Sequence, residues 1–377
     1  MIKLSKNLGS TTVLALLAVI AYSLTLWADH ARVVKPTPMH DEKISSAIQM
    51  ERALNAIEKE GPLLGEPLTS ISSVDAEPEV KRAALNPNLA ALVVELMTEA
   101  GVRPGDRIAV GLSGSYPGLN VALLAACYAL EIEPVIVASV AASAYGATDP
   151  EFTWLDMERV LRDADIFEYK SIAASLGGAN DLASNLTSEG RFLLADAISR
   201  NDIERLQAGD LAESIAIRRE LYLGQSRTDE HDLRGYALYV NVGGGAASLG
   251  RSGVAPVLHS GLIERLDPTQ YEQPGIAHWF VENSVPVVNL RSLPSLLSDH
   301  GLPLRSATSS EIGEGPLYVT ERHDLRVIWL SVALMSLLLG FAWSAHRRER
   351  RRIEAELHEP AMDRRSKDQK EEDTHAA

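Results

Sequence analysis

One cysteine, Cys127, is all that this chain of 377 residues contains, which excludes an internal disulfide framework and any cysteine-based zinc site. Cys127 lies in an apolar helical run, where a thiol acts as a small buried hydrophobe. An excess of basic charge is also missing. With 36 Lys and Arg against 51 Asp and Glu, the formal net charge of −15 excludes general nucleic-acid binding, which needs a basic surface to displace counterions. The histidines show no metal-binding spacing: His231, His259, His278 and His300 are scattered, and no H-E-x-x-H occurs. No glycine-rich stretch ends in Gly-Lys-Ser/Thr, so the phosphate-loop pattern fails. The sequence implies no metal and no cofactor.

Long apolar runs are present, and there are two. Residues 11–28 and 327–345 carry no charged side chain and are long enough to cross a bilayer. Trp27, Trp329 and Trp343 stand near their ends, where amphipathic rings favour the membrane interface. The basic cluster HRRERRR follows the second run and predicts a cytoplasmic C-terminus. A two-pass protein then has residues 1–10 (with Lys3 and Lys6) and 346–377 inside, and its central domain outside the cytoplasm. A cleaved signal peptide is the alternative for the first run, but no clear small-x-small site precedes Asp29.

Between the runs, residues 29–85 read as an approach segment. Apolar residues at Ile44, Ile48, Leu54 and Ile57 in a segment that ends in Gly61 predict a juxtamembrane amphipathic helix, and a linker follows. From Asn86 the chain alternates. RIAVGL, PVIVASV, IFEYKSI, ALYVNV and VPVVNL read as strands, and PGLNVALLAACYAL, EFTWLDMERVLRDA, EGRFLLADAISRN and IAHWFVEN as helices. That order predicts an α/β domain over residues 86–305, with a mostly parallel sheet covered by helices in Rossmann-like layers and flanked by two transmembrane helices. Residues 306–326 read as a linker, and residues 353–377 as a charged tail without a packed core. Residues 29–326 hold 42 acidic and 25 basic side chains, so an anion bound there needs a local device such as backbone N–H groups.

Two glycine-rich segments follow strands. In GLSGSYPGLN (111–120), Gly111, Gly114, Ser113, Ser115 and Asn120 sit where a strand opens into a helix, the end of a parallel sheet at which ligands bind. Gly111-Leu112-Ser113-Gly114-Ser115 also matches a G-x-S-x-G nucleophile elbow except at its last position, which makes Ser113 and Ser115 candidate nucleophiles. A plain tight turn accounts for the same residues. In NVGGGAASLG (241–250), Asn241, Gly243, Gly244, Gly245 and Ser248 follow a second strand. The third glycine of a dinucleotide fingerprint is absent, leaving an anion nest, an oxyanion hole or a flexible turn. SLGGAND (175–181) follows another strand and is expected at the same crevice. In GATDPEFTWLDMERVL, Thr148 and Glu151 read as a capping box, so the carboxylates there serve a helix start better than acid–base work. Asn185-Leu186-Thr187 matches a glycosylation sequon, a pattern common by chance.

Taken together, GLSGSYPGLN, ASAYGATDPEFTWLDMERVL, SLGGAND and YVNVGGGAASLG resemble the bacterial poly-γ-glutamate system protein family over residues 85–305 and the flanking apolar runs. The resemblance implies a membrane-anchored accessory protein of poly-γ-glutamate capsule synthesis and export. Its implied partners are the synthase and export membrane subunits and the end of a poly-γ-glutamate chain. It carries no assigned catalytic residues. The leading expectation is an accessory subunit whose strand-end crevice engages a carboxylate or polymer end. The alternative is an extracytoplasmic serine hydrolase or γ-glutamyl transpeptidase. A sensor of small anions is a third reading, and no recognisable cytoplasmic output domain accompanies it.

Overall fold

Along β2 (Arg107–Ser113), Ile108, Val110 and Leu112 join one hydrophobic cluster, while Ala109 joins another. A strand buried on both faces is what helices on both sides of a parallel sheet require. The computed structural model describes residues 2–228, 232–251, 258–266, 271–302 and 311–358. It divides into one unit comprising Pro36–Thr320 and another comprising Met1–Lys35 with Glu321–Ala377.

In the larger unit the sheet is formed by β2, β3 (Glu133–Ser139), β4 (Ala173–Ser175), β5 (Glu204–Arg205), β6 (Leu238–Val242), β7 (Gly261–Ile263) and β8 (Val287–Leu290). Its order is β5-β4-β3-β2-β6-β8-β7, with β7 antiparallel to β8 and every other pair parallel. The chain runs outward from β2 through β5 and then returns to the opposite side of β2 as β6. The gap between the carboxyl ends of β2 and β6 is therefore a topological switch point.

One face carries α2 (His40–Glu60), α4 (Asn88–Glu99), α5 (Pro117–Ala129), α6 (Trp154–Asp163) and α7 (Ser188–Arg200). The opposite face carries α8 (Leu211–Gln225) and α10 (Ile276–Glu282), where Tyr222, Tyr236, Tyr239 and Phe280 stack edge-on and face-on. Short helices α3 (Pro78–Ala83), α9 (Ala246–Leu249) and α11 (Leu293–Asp299) complete this unit among the described residues.

Several sequence expectations shift. The helix over residues 40–60 is not an approach segment: Met50, Ala53 and Ile57 are buried, and α2 packs on α4 and α5. An amphipathic pattern shows that one face is apolar and leaves open what covers it. Leu317 and Tyr318, assigned to a linker, are buried as well, and Tyr318 Oη donates to Asn88 Oδ1 at 2.5 Å. The strand expected at 166–172 begins at Ala173, because Phe167 and Tyr169 stack on each other against the core. The capping box belongs to Thr153 and Asp156. Thr148 Oγ1 instead donates to the Glu66 carbonyl at 2.6 Å. Arg200, Asn201 and Thr153 all donate to Asp156, which holds its carboxyl below the ordinary range although burial pushes the other way.

The second unit contains α1 (Ile2–His30) and α12 (Leu325–His358), which pack together, and most of the paired strands β1 (Arg32–Pro36) and β9 (Val319–His323). Arg32 meets Glu321 at 3.0 Å. Thr12–His30 and Leu325–Arg352 are long and apolar enough to cross a membrane. Nineteen residues of α-helix cover about 28 Å, close to a bilayer's hydrocarbon thickness. α12 runs on through the basic cluster to His358, since Arg and Glu are good helix formers. Residues 359–377 of the expected tail, and residues 303–310, lie outside the described residues.

Candidate functional site

A cavity of about 620 Å³ opens at the switch point, lined by both glycine-rich loops and by residues from distant parts of the chain. Four sequence-predicted residues border it: Ser113, Ser115, Gly244 and Gly245. Gly178 and Ala179 of SLGGAND border it too.

The other six predicted residues do not line it and have structural partners. Gly111 is a glycine because Tyr239 Oη and Ser248 Oγ occupy the space that a side chain would take. Those two hydroxyls bond to each other at 2.7 Å, which removes Ser248 from the cavity. A Cβ on Gly114 would strike the Val140 carbonyl, so this glycine allows two strand-end loops to cross. Asn120, fully buried on α5, donates from Nδ2 to the Ser113 carbonyl at 2.9 Å and fixes the loop from below. Asn241 Nδ2 donates to the Gly243 carbonyl and to Asn289 Oδ1, each at 2.8 Å. Gly243 adopts φ +83°, a left-handed conformation that favours glycine, and leaves Gly244 and Gly245 facing the cavity.

The serines of the near-elbow are held by the backbone. Ser113 Oγ accepts from the Ser115 amide at 3.2 Å, and Ser115 Oγ accepts from the Ser143 amide at 3.0 Å. Among the described residues no histidine borders the cavity. His278 is buried, its Nδ1 accepts from the Gly275 amide at 3.1 Å, and burial pulls its pKa down to about 4. His259 Nε2 faces the Leu262 carbonyl, and His231 lies outside the described residues. His300 comes near Glu95 and Glu99 in a partly exposed group away from the cavity, where Glu95 is paired with Lys43 at 2.9 Å.

Sequence reasoning passed over the residues that give the cavity its chemistry. Arg291 borders it just past β8 and has no ion-pair partner among the described residues. Ser143 borders it from the loop after β3. Behind that loop, Lys81 on α3 is 1% exposed. Its Nζ donates to the Ser115 carbonyl and to Ser143 Oγ (2.7 Å), and it sits 3.6 Å from the centroid of the Tyr116 ring. Lys81 has no carboxylate partner among the described residues, and burial pulls its pKa from 10.5 down to about 7. Burial also raises the Tyr116 phenol, with Arg291 pulling the other way.

Residues 73–77, expected to be linker, form a wall of the cavity. Ser73 N donates to the Ala142 carbonyl at 2.7 Å, and Ala144 N donates to the Val74 carbonyl at 2.8 Å. Asn185, the residue of the sequon, donates to the Ser73 carbonyl at 2.7 Å, so its amide is committed to this wall. The floor toward β3 and β4 is a closed network. Asp181 accepts from Ser139 (3.0 Å), Ser175 (2.7 Å), Ser214 (2.5 Å) and Arg218 (2.9 Å). Set beside known proteins, the chain matches no family model, no curated protein and no solved structure.

Proposed function

We propose that this chain is a membrane-anchored accessory protein of poly-γ-glutamate synthesis or export, whose switch-point cavity receives the carboxylate-bearing end of the polymer. Arg291 carries the reading. It is a cation without an ion-pair partner among the described residues, set in a cavity of an otherwise acidic region. A guanidinium presents a fork of donors matched to a carboxylate, and hydrogen bonds to such an ion are about twice as strong as neutral ones. Ser113, Gly244 and Gly245 surround the same space with small polar groups that let a ligand approach closely.

The excess of 42 acidic over 25 basic side chains in residues 29–326 repels the bulk of a polyanion. Capture of one end at a local cation agrees with that charge, whereas a sleeve around the polymer does not. The motif resemblance supplies the pathway. The two apolar helices and the basic cluster after the second support a two-pass protein with both termini cytoplasmic and the α/β region outside.

Equilibrium binding of γ-linked glutamate oligomers to the detergent-solubilised full chain tests the site. The expectation is saturable binding, weakened at least about tenfold in Arg291→Gln and absent for a neutral amidated oligomer. Equal affinity in wild type and Arg291→Gln would overturn it. A reporter fused within residues 86–305 tests the topology, and activity in the cytoplasm would reverse the proposed orientation.

A further inference from the structure

Lys81 and Ser143 form a pair that carboxylate capture does not use. Lysine is among the side chains least often fully buried, and a buried one usually has a counter-charge. Lys81 has none among the described residues, yet its Nζ is 2.7 Å from a hydroxyl that borders an open cavity. A salt bridge would fix the ammonium form. A carbonyl and a hydroxyl can also be met by the free amine, and none of the three neighbours is a charge that would fix the ammonium. As the ammonium, Nζ donates to both the Ser115 carbonyl and Ser143 Oγ; loss of one proton would let its lone pair take the Ser143 O–H across the same 2.7 Å.

We propose that Ser143 is an acyl-transfer nucleophile and Lys81 its general base, which makes the cavity a serine amidase or transpeptidase site. The substrate class, a γ-glutamyl amide, rests on the carboxylate reading above, with Arg291 holding the carboxylate. Ser143 Oγ attacks the amide carbonyl as its proton passes to Lys81 Nζ. The C–N bond then breaks, and the leaving amine takes that proton from the Lys81 ammonium. Water, or an acceptor amine, next gives a proton to Lys81 and attacks the Ser143 ester. The Ser143 C–O bond breaks as Ser143 takes back that proton from Lys81, and the acyl group departs as a new amide or as a carboxylic acid that loses its proton to solvent. Gly244 and Gly245 border the cavity with amides that have no acceptor among the described residues, and these are the donors available to the oxyanion.

The arrangement departs from the near-elbow in the sequence. Ser115 positions the nucleophile, because its Oγ accepts from the Ser143 amide and its carbonyl orients Lys81. Burial pulls the Lys81 amine down to about 7, which leaves a share of it unprotonated and able to accept a proton at neutral pH. The charged groups bordering the cavity are Asp75, Glu77 and Arg291, and Tyr116 stacks against the amine.

A fluorophosphonate probe applied to the full chain in membranes, followed by peptide mass mapping, tests the pair. Ser143 is expected to carry the label, at a rate that rises with pH to a plateau with a midpoint near 7. Ser143→Ala should remove the label and Lys81→Met should slow it about 100-fold or more, with Lys81→Arg no better. Ser143→Cys treated with iodoacetamide reads the same base through a thiol, with the same midpoint. No label on folded protein, a label on Ser113 or Ser115, or an unchanged rate in Lys81→Met overturns the proposal. The probe needs no glutamate, so the two readings separate. Oligomer binding without labelling sinks the acyl-transfer inference alone. Labelling that γ-linked oligomers fail to slow supports the nucleophile and overturns its γ-glutamyl substrate.

Discussion

Two buried cations each bond to a serine that lines the cavity, and they are treated in opposite ways. Arg218, 2% exposed, meets the Asp181 carboxylate at 2.9 Å within a ring of serine hydroxyls. Lys81, 1% exposed, meets a carbonyl, a hydroxyl and a ring face. Burial pulls Arg218 down, but Asp181 overrides it and leaves the guanidinium above its ordinary range. Nothing offsets burial at Lys81. A buried charge that is paired and fully bonded is architecture. One left without a counter-ion becomes a group that can gain and lose a proton at neutral pH, which is the property a catalyst needs.

Breaking the paired side should have the largest effect. Asp181→Ala leaves Arg218 buried and uncompensated, and chemical denaturation should show a loss of about 3–5 kcal/mol. A loss below 1 kcal/mol would mean that water reaches Arg218 and that the two cations are not different in kind. Next comes the loop crossing between them. Gly114→Ala drives a methyl into the Val140 carbonyl and should cost about 1–3 kcal/mol, read as a lower melting temperature.

Lys81→Met should act through pH. The folded amine titrates near 7 and the unfolded one near 10.5, so the unfolded state binds more protons between those values. Wild-type stability should therefore rise relative to Lys81→Met across that window, by up to about 1.4 kcal/mol per pH unit. Parallel profiles from pH 7 to 10 would show that Lys81 stays charged when folded. Arg291→Gln should change stability least, within about 0.5 kcal/mol, because the side chain is partly exposed and has no ion pair to lose. Under the proposed function, its effect is expected in oligomer binding instead.

The sheet was legible wherever short apolar strands alternate with helical periods: β2, β3, β6 and β8 fall close to their expected positions. So did the meeting of the two glycine loops, because residues after parallel strands gather at one sheet edge. Illegible were the contacts that join distant segments. Lys81 stands in EPEVKRA, which reads as an ordinary charged surface turn, and no periodicity reveals that one of its two adjacent cations is buried. Ser143 lies among small residues in VAASAYG, and although ASAYG opens one of the stretches that carry the resemblance, no catalytic pattern marks the serine. The segment before Asn86 reads as an approach helix and linker, because its stretch rich in Ser, Pro and Glu carries no periodic pattern to show that it walls a cavity. Gly111 and Ser248 misled in the other direction. Their small size serves the fit of Tyr239 on the far side of the sheet, and small residues look alike whether they admit a ligand or a neighbouring ring.

The backbone bonds that tie Ser73 and Val74 to Ala142 and Ala144 have a mechanical consequence. They join the stretch leading into Lys81 to the loop bearing Ser143, so the two reacting groups are mounted on one piece of the wall. Arg291 borders the same cavity from a separate segment, just past β8, and takes part in none of those bonds. The contact between Lys81 and Ser143 is therefore set within one hydrogen-bonded stretch of wall, while the placement of Arg291 is set independently by the sheet.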